Sequence, residues 1–397
     1  MSTGNSRTNP PSRREVIKGL GAGALTLGLG RTTLAAATPT QAQLPTGEAI
    51  AAAAAPLGPP GSNIFFEKEL KRMRFGLYHH PPINILDGGF RPVGGQPADF
   101  TVIHHDGREH FFYIERRLTE GTPFFPGHEI FFGHASTADF FTWDVHDPVL
   151  LIRPGTWEEG HVWAPNAIKH GDEYVMVYTG LNRHLSQDLG VATSRDMFDW
   201  KRWESNPISL LKDADWAAWW TDDICSCRDP HLLRHDGRIW MVYTANTKAG
   251  ASCLALASTE DFKSWKDHGP IIVGPETGYE PRMWGGHPQG SLESPTLLWR
   301  EGRWILVLNV SIRDRGRGTW IVESDRMDRF DFDKLRQFGS GGCVEVVRSQ
   351  GNRSLLVGLR GEGLKFDVVD WADSEPSARP ATREDLLAWQ KVPPTYE

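Results

Sequence analysis

Apolar and polar positions alternate in a repeated unit along most of this chain. Two apolar, β-rich runs surround a tight glycine turn, and an acidic or aromatic residue heads the first run. The first copy runs Asp99-Phe100-Thr101-Val102-Ile103 to Gly107, then Phe111-Phe112-Tyr113-Ile114. Later copies are headed by Trp163 (turn at Gly171), Asp229 (turn at Gly237), Glu293 (turn at Gly302) and, more weakly, Glu345 (turn at Gly351). Heads at 99, 163, 229, 293 and 345 are separated by 64, 66, 64 and 52 residues. Each copy predicts a β-hairpin. A second phrase closes the first three units: Thr137-Ala138-Asp139-Phe140 to Trp143, Ser194-Arg195-Asp196-Met197 to Trp200, and Ser258-Thr259-Glu260-Asp261-Phe262 to Trp265. Its Phe and Trp residues are expected to pack between neighbouring sheets. Helical periodicity of useful length occurs only over Thr382–Lys391, which argues against alternating β and α units. Five such units predict an all-β chain, a five-bladed β-propeller over residues 63–371, followed by a C-terminal extension over 372–397. The apolar run Phe75-Gly76-Leu77-Tyr78 is a candidate to close the ring by joining the fifth blade.

The N-terminus follows a different logic. Ser12-Arg13-Arg14-Glu15-Val16 is a twin-arginine pattern, followed by an apolar stretch to Gly30 and small residues at Ala35-Ala36-Ala37. Residues 1–37 therefore read as a Tat signal peptide and 38–62 as a linker, which predicts a periplasmic or secreted protein handled by the Tat export machinery. The apolar stretch is short of the ~20 residues needed to span a bilayer, so no membrane span is expected. The whole chain carries a formal charge of -7; residues 1–37 hold five basic groups and one acidic, so their removal leaves -7 - 4 = -11. Nucleic acid is a poor partner for such a chain, since phosphate contacts need clustered cations. Four cysteines are too few for a disulfide scaffold, although one bridge, such as Cys227 with Cys253, fits an oxidising compartment.

In a propeller the first strand of each blade lines the central channel. Four of the five heads are carboxylates, and in the stronger copies these are Asp99, Asp229 and Glu293, which the repeat places around one axis. Gathering acids in a partly buried funnel is costly without a job or a partner. Such a cluster binds a cation or performs acid–base chemistry. Glycoside hydrolysis uses one acid to protonate the leaving oxygen and a second carboxylate as nucleophile or base; a third negative charge raises the pKa of the acid.

With these motifs in order, the sequence resembles the five-bladed β-propeller glycosidases, the superfamily of glycoside hydrolase families 43, 62, 32, 68 and 117. Trp163-Ala164-Pro165 with Tyr174-Val175-Met176-Val177-Tyr178 resembles family 43. Arg228-Asp229-Pro230 resembles families 32 and 68, and Glu293-Ser294-Pro295 resembles the acid-bearing motif of both groups. Asp99 departs from the pattern, lacking the Pro that follows it in family 43 and the Asn residues that flank it in fructan enzymes. The resemblance implies an exported glycoside hydrolase in which Asp99 is base or nucleophile, Asp229 orients the sugar and Glu293 is the general acid. About 25 residues follow Trp371, too few for the β-sandwich usual in family 32. That favours a compact, family 43-like enzyme acting on arabinofuranosides or xylosides. The alternatives are a β-fructofuranosidase or fructosyltransferase of family 32/68 type, and a non-catalytic sugar-binding propeller. An oligo- or polysaccharide is the expected partner. No cofactor is required; a structural calcium ion in the central channel is what the resemblance allows.

Several further residues are candidates for sugar contacts, each with a structural reading beside it. Trp163 floors a sugar subsite or packs in the core. Arg228 holds a sugar hydroxyl or fixes Asp229. Trp219 and Trp220, in an insert before Asp229, stack on sugar or form a satellite core. His287 and Glu345 complete the funnel floor, or hold a cation or water. His104 faces the channel.

Overall fold

The computed structural model describes residues 88–92, 95–117, 129–222, 225–275, 290–312, 316–360, 363–372 and 375–394. Segments 1–37 and 38–62, the run Phe75–Tyr78 and His287 lie outside the described residues.

Among the described residues, twenty strands form five four-stranded antiparallel sheets. Blade one is β1 (Gly95–His105), β2 (Arg108–Arg117), β3 (Phe132–Thr137) and β4 (Asp144–Val149). Blade two is β5 (His161–His170), β6 (Glu173–Leu181), β7 (Gln187–Ser194) and β8 (Lys201–Arg202). Blade three is β9 (Cys227–His235), β10 (Arg238–Asn246), β11 (Ser252–Thr259) and β12 (Lys266–Val273). Blade four is β13 (Gly290–Arg300), β14 (Arg303–Ile312), β15 (Gly316–Ser324) and β16 (Arg336–Gln337). Blade five is β17 (Gly342–Gln350), β18 (Arg353–Arg360), β19 (Gly363–Asp370) and β20 (Ser377–Pro380). One helix, α1 (Arg383–Trp389), follows, within the segment expected to be helical. The chain is thus a five-bladed β-propeller.

Each repeated glycine closes the β-hairpin between the first two strands of its blade. At Asp106-Gly107 and Asp236-Gly237 both turn residues have positive φ (47° and 77°, 49° and 74°), the twist that suits a two-residue hairpin. The closing phrase is a side-chain-capped turn between third and fourth strands. Thr137 Oγ1 accepts from Phe140 N at 2.8 Å while Asp139 Oδ1 accepts from Phe141 N and Thr142 N; Ser194 with Asp196 and Thr259 with Asp261 do the same. The turn drives Phe140, Met197 and Phe262 into the core.

The core is divided among the blade junctions. One apolar cluster joins blades two and three around Val177 and Met241, and another joins three and four around Leu256 and Leu306. Others join one and two around Phe112 and Met176, and four and five around Ile305 and Leu356. Blades five and one meet around Phe111, Tyr113 and Leu355, with Leu386 and Trp389 of α1 added. At the axis, each junction also has a side-chain bond to the next blade. Thr101 Oγ1 accepts from Ala167 N (3.1 Å), Asn166 Oδ1 from Leu232 N (2.8 Å) and His231 Nδ1 from Leu297 N (3.3 Å). Thr296 donates to Val344 O, and Glu345 Oε2 accepts from Val102 N at 2.7 Å, closing the ring. Burial pushes His231 down to about 4, which keeps the imidazole a neutral acceptor.

One boundary differs from the sequence reading. The propeller continues past residue 371, because Ser377–Pro380 pairs with β19 as the outer strand of blade five. A short, mostly exposed edge strand carries too little alternation to be read beforehand. Blade five therefore has four strands of its own without the Phe75–Tyr78 run. All four cysteines are free thiols, so the suggested bridge between Cys227 and Cys253 is absent.

Candidate active site

The site is built on a bulge shared by the innermost strands. Pairing breaks between Trp163 and Asn166, between Glu293 and Thr296, and between Gly342 and Glu345, each time setting two residues against one on the neighbouring strand. In blade three the break follows Arg228, and in blade one it falls between Pro97 and Phe100. The first bulged residue is left-handed in four blades: Ala164 (φ 40°), Asp229 (φ 55°), Ser294 (φ 49°) and Cys343 (φ 50°). Non-glycine residues in that conformation store strain and concentrate at functional sites. A narrow cavity of about 30 Å³ opens here, bordered by Asp99, Pro165, Asp229, Ser294 and Cys343, one residue from each blade.

This register corrects the assumption that the heads are equivalent. Trp163, Arg228 and Glu293 share one level, facing Thr179, Thr244 and Asn309 on the second strands. Asp229 is the first bulged residue and Asp99 the second. Glu345 is the first residue back in register, one step deeper. The three acids thus descend from rim to floor in the order Glu293, Asp229, Asp99.

Arg228 joins two of them. Its Nη2 donates to Glu293 Oε2 at 3.1 Å and its Nε lies 3.3 Å from Asp229 Oδ2. Nη1 donates to Ser226 Oγ (2.8 Å) and Gln187 Oε1 (3.4 Å), which holds the planar fork in place. Asp229 Oδ2 also accepts from Thr244 Oγ1 (3.2 Å) and Ser294 N (3.1 Å). Asp99 enters the same network through Ser294, whose Oγ donates to Asp99 Oδ2 at 2.8 Å; Cys343 Sγ donates to Asp99 Oδ1 at 3.0 Å. Asp229 and Arg228 are buried, while the Glu293 side chain keeps 31% of its surface open to solvent.

Burial pushes Asp229 up to about 7; Arg228 opposes the shift, and the charges of Asp99 and Glu293 add to it. Burial also raises Asp99, against the hydrogen bonds from Cys343 and Ser294. The folded state keeps the Asp229 proton to a higher pH than the unfolded chain does. Asp229 therefore costs stability progressively as pH rises from its ordinary 3.8 to about 7. Wild type should lose melting temperature relative to Asp229→Asn across that window, with a constant difference above it. A difference independent of pH would show that Asp229 ionises normally.

The other predicted residues are distributed as follows. Trp163 is half-buried at the level of Arg228 and Glu293, its ring 5.6 Å from His161 and its body against the core between blades one and two. Trp219 belongs to the satellite core: it packs between blades two and three and its Nε1 donates to Gln187 O at 2.8 Å. Because Gln187 also accepts from Arg228, this tryptophan supports the guanidinium. Trp220 is half-buried, and its carbonyl accepts from Ser186 Oγ and Cys225 Sγ. Glu345 is half-buried and accepts from Thr101 Oγ1, Val102 N and Asn166 Nδ2 (3.2, 2.7 and 2.8 Å), and the desolvation of its carboxyl pushes it up to about 8. These donors tie three blades together, so its observed work is structural. His104 does face the axial channel, but five residues along β1 from Asp99, ~16 Å at strand rise; there it lies 3.2 Å from Glu109. Two carboxylates, Glu109 and Glu345, line the axial channel, and Glu345 accepts three hydrogen bonds from the protein.

Sequence reasoning missed Ser294, Cys343 and Arg116. Ser294 was visible inside Glu293-Ser294-Pro295 but had no assigned role. Cys343 lies two residues before Glu345, a position that only the bulge brings to the floor. Arg116, paired with Glu129 at 2.6 Å, helps to lower Asp99 from the neighbouring strand.

In fold, this five-bladed architecture is similar to that of the β-propeller glycosidases. Residues 100–285 match the profile described as "Glycosyl hydrolases family 32 N-terminal domain". Sucrose-6-phosphate hydrolase of Bacillus subtilis is 25% identical over 228 residues, covering 55% of this chain and 42% of that protein. The chain thus spans less than half the length of this curated relative. Among solved structures, the GH32 β-fructofuranosidase of Bombyx mori is similar with a TM-score of 0.58 and 16% identity, over 80% of this chain and 70% of that one. A thermostable family-43 glycoside hydrolase is similar with a TM-score of 0.54 and 14% identity, over 76% of this chain and 96% of that one.

Proposed function

We propose that this chain is a glycoside hydrolase that cleaves β-fructofuranosides, small ones such as sucrose or its phosphate, or the ends of fructans. The observation that carries the reading is the joining of Asp99, Asp229 and Glu293, from three blades, into one hydrogen-bonded network through Arg228 and Ser294. The match of residues 100–285 to a family 32 domain supports a fructofuranoside over an arabinofuranoside or xyloside. The fructoside alternative in the sequence thus fits better than the pentoside reading.

In this proposal Asp99 is the nucleophile. Ser294 and Cys343 each take one of its oxygens, fixing the carboxylate plane at the channel floor. Its attack on the anomeric carbon forms a fructosyl ester and breaks the bond to the leaving oxygen. Glu293, the most open acid, donates the proton to that oxygen and then accepts one from the water that hydrolyses the ester. Asp229 and Arg228 bind sugar hydroxyls and keep the two reacting carboxyls apart. Residues 1–37 as a Tat signal, with export to the periplasm or beyond, belong to the same proposal.

The test is a substrate panel of sucrose, sucrose 6-phosphate, inulin, levan, aryl α-L-arabinofuranoside and aryl β-D-xyloside. Fructose release is expected, with turnover about 10²–10⁴-fold lower in Glu293→Gln. Pentose release instead would restore the arabinofuranoside or xyloside reading. Saturable sugar binding without turnover, unchanged in Glu293→Gln, would make the chain a sugar-binding propeller.

A further inference from the structure

A second cluster of titratable groups lies on blade one, away from the acids. His110 on β2, His134 on β3 and His146 on β4 present ring nitrogens within 4.8 Å of one another. Their placement follows from pairing: His134 faces His146 directly, while His110 faces Ser136, two residues along β3 and on the same side of the sheet. Antiparallel neighbours at such positions are within side-chain reach. This spacing of 24 and 12 residues forms no local motif, so the sequence gives no sign of it.

The surroundings are those of a built site. His110 and His134 are buried, at 2% and 0% exposure, and His146 is half-buried. Buried polar atoms need partners, and here imidazoles converge on one another: His110 Nδ1 lies 2.9 Å from His134 Nε2. Phe112 stacks on His134 with ring centroids 4.4 Å apart. Phe198, from the turn of blade two, lies over the group at 5.8, 5.2 and 5.1 Å from the rings of His110, His134 and His146. Ser136 Oγ accepts from Arg108 Nε and lies 2.8 Å from His146 Nε2, which orients that ring from behind.

We propose that His110, His134 and His146 form a binding site for a divalent transition-metal cation, Zn²⁺ foremost, with water as the fourth ligand. Three neutral imidazoles suit a borderline ion with tetrahedral preference, and the absence of a carboxylate in the trio disfavours calcium or magnesium. Small rotations of the rings would replace the direct contact between His110 and His134 by two bonds to one ion. The ion would then pin three strands of blade one beneath the turn of blade two.

The test uses tag-free protein, since a polyhistidine tag would bind the same ions. Chelator-treated protein is titrated with ZnCl2 by calorimetry, and bound zinc is measured after dialysis. One equivalent at micromolar affinity and a higher melting temperature are expected. His146→Ala, the least buried of the three, should lose that equivalent and the thermal shift while keeping its far-UV circular dichroism. Co²⁺ added to unmodified protein should give the intense visible bands of a tetrahedral site, a readout that does not depend on a variant folding. No bound zinc in wild type, the same zinc in His146→Ala, or only the weak spectrum of octahedral Co²⁺ would overturn the proposal. Sugar hydrolysis is not the readout, so failure here leaves the proposed function standing.

Discussion

Replacing Asp99 with Asn should lower kcat on a fructofuranoside by ~10³-fold or more while leaving the fold at least as stable as wild type. The kinetic half follows from the role: an amide cannot form the ester, whereas Glu293, Asp229 and Arg228 remain to bind sugar. KM should therefore change far less than kcat. The stability half follows from burial, which raises the pKa of Asp99 and so opposes its charge. Asn retains the shape and one acceptor oxygen for Ser294 or Cys343. The configuration of the wild-type product separates the two chemical roles: a nucleophilic Asp99 releases fructose with net retention at the anomeric carbon, whereas a base for water gives inversion. Full activity in Asp99→Asn would remove the assignment.

The largest stability effect is expected at Arg348, far from the acids. Arg348→Met should cost about 3–5 kcal/mol in chemical denaturation, because it leaves a charge buried without its partner. Arg348 is buried and donates to Glu109 Oε1 at 2.7 Å; Glu109 is itself 2% exposed. The same guanidinium donates to the carbonyls of Trp389, Gln390 and Val392, at 3.1, 3.0 and 2.6 Å. One side chain of blade five thus holds blade one and the end of α1 at the junction where the ring closes. Removing Glu109 as well, in Arg348→Met with Glu109→Met, should recover part of the loss by eliminating the unpaired carboxylate. The three carbonyls would still lack their donor. A single-variant cost below about 1 kcal/mol would place the pair among weak surface bridges and would contradict its burial.

These two residues differ in how visible they were beforehand. Asp99 could be found because it opens a hairpin pattern that recurs around glycine turns. Arg348 could not, because Glu109 is 239 residues away. The same contrast separates the fourth strands. β20 is short and polar because one edge faces solvent, so it lacks the alternation that marked the inner strands. Trp219 was ambiguous between a sugar platform and a packing residue. Its indole bond to Gln187, whose side chain reaches Arg228, assigns it to the support of the site.

By itself the sequence determined the repeat, the β-hairpins, the five-bladed ring and the identity of the three acids. Each rests on local chemistry: glycine where a turn needs positive φ, alternation where a strand has a buried face, and carboxylates at recurring positions. The tertiary structure decided the depth of each acid, since a two-residue bulge shifts Asp229 and Asp99 below Glu293. It also decided what each acid touches. Ser294 meets Asp99 across 195 residues, Arg228 meets Glu293 across 65, and Glu345 closes the ring on Val102 across 243. Local propensity sets which residues can form a strand. Partners this distant are set only when the blades pack around a common axis and bury their polar groups against one another.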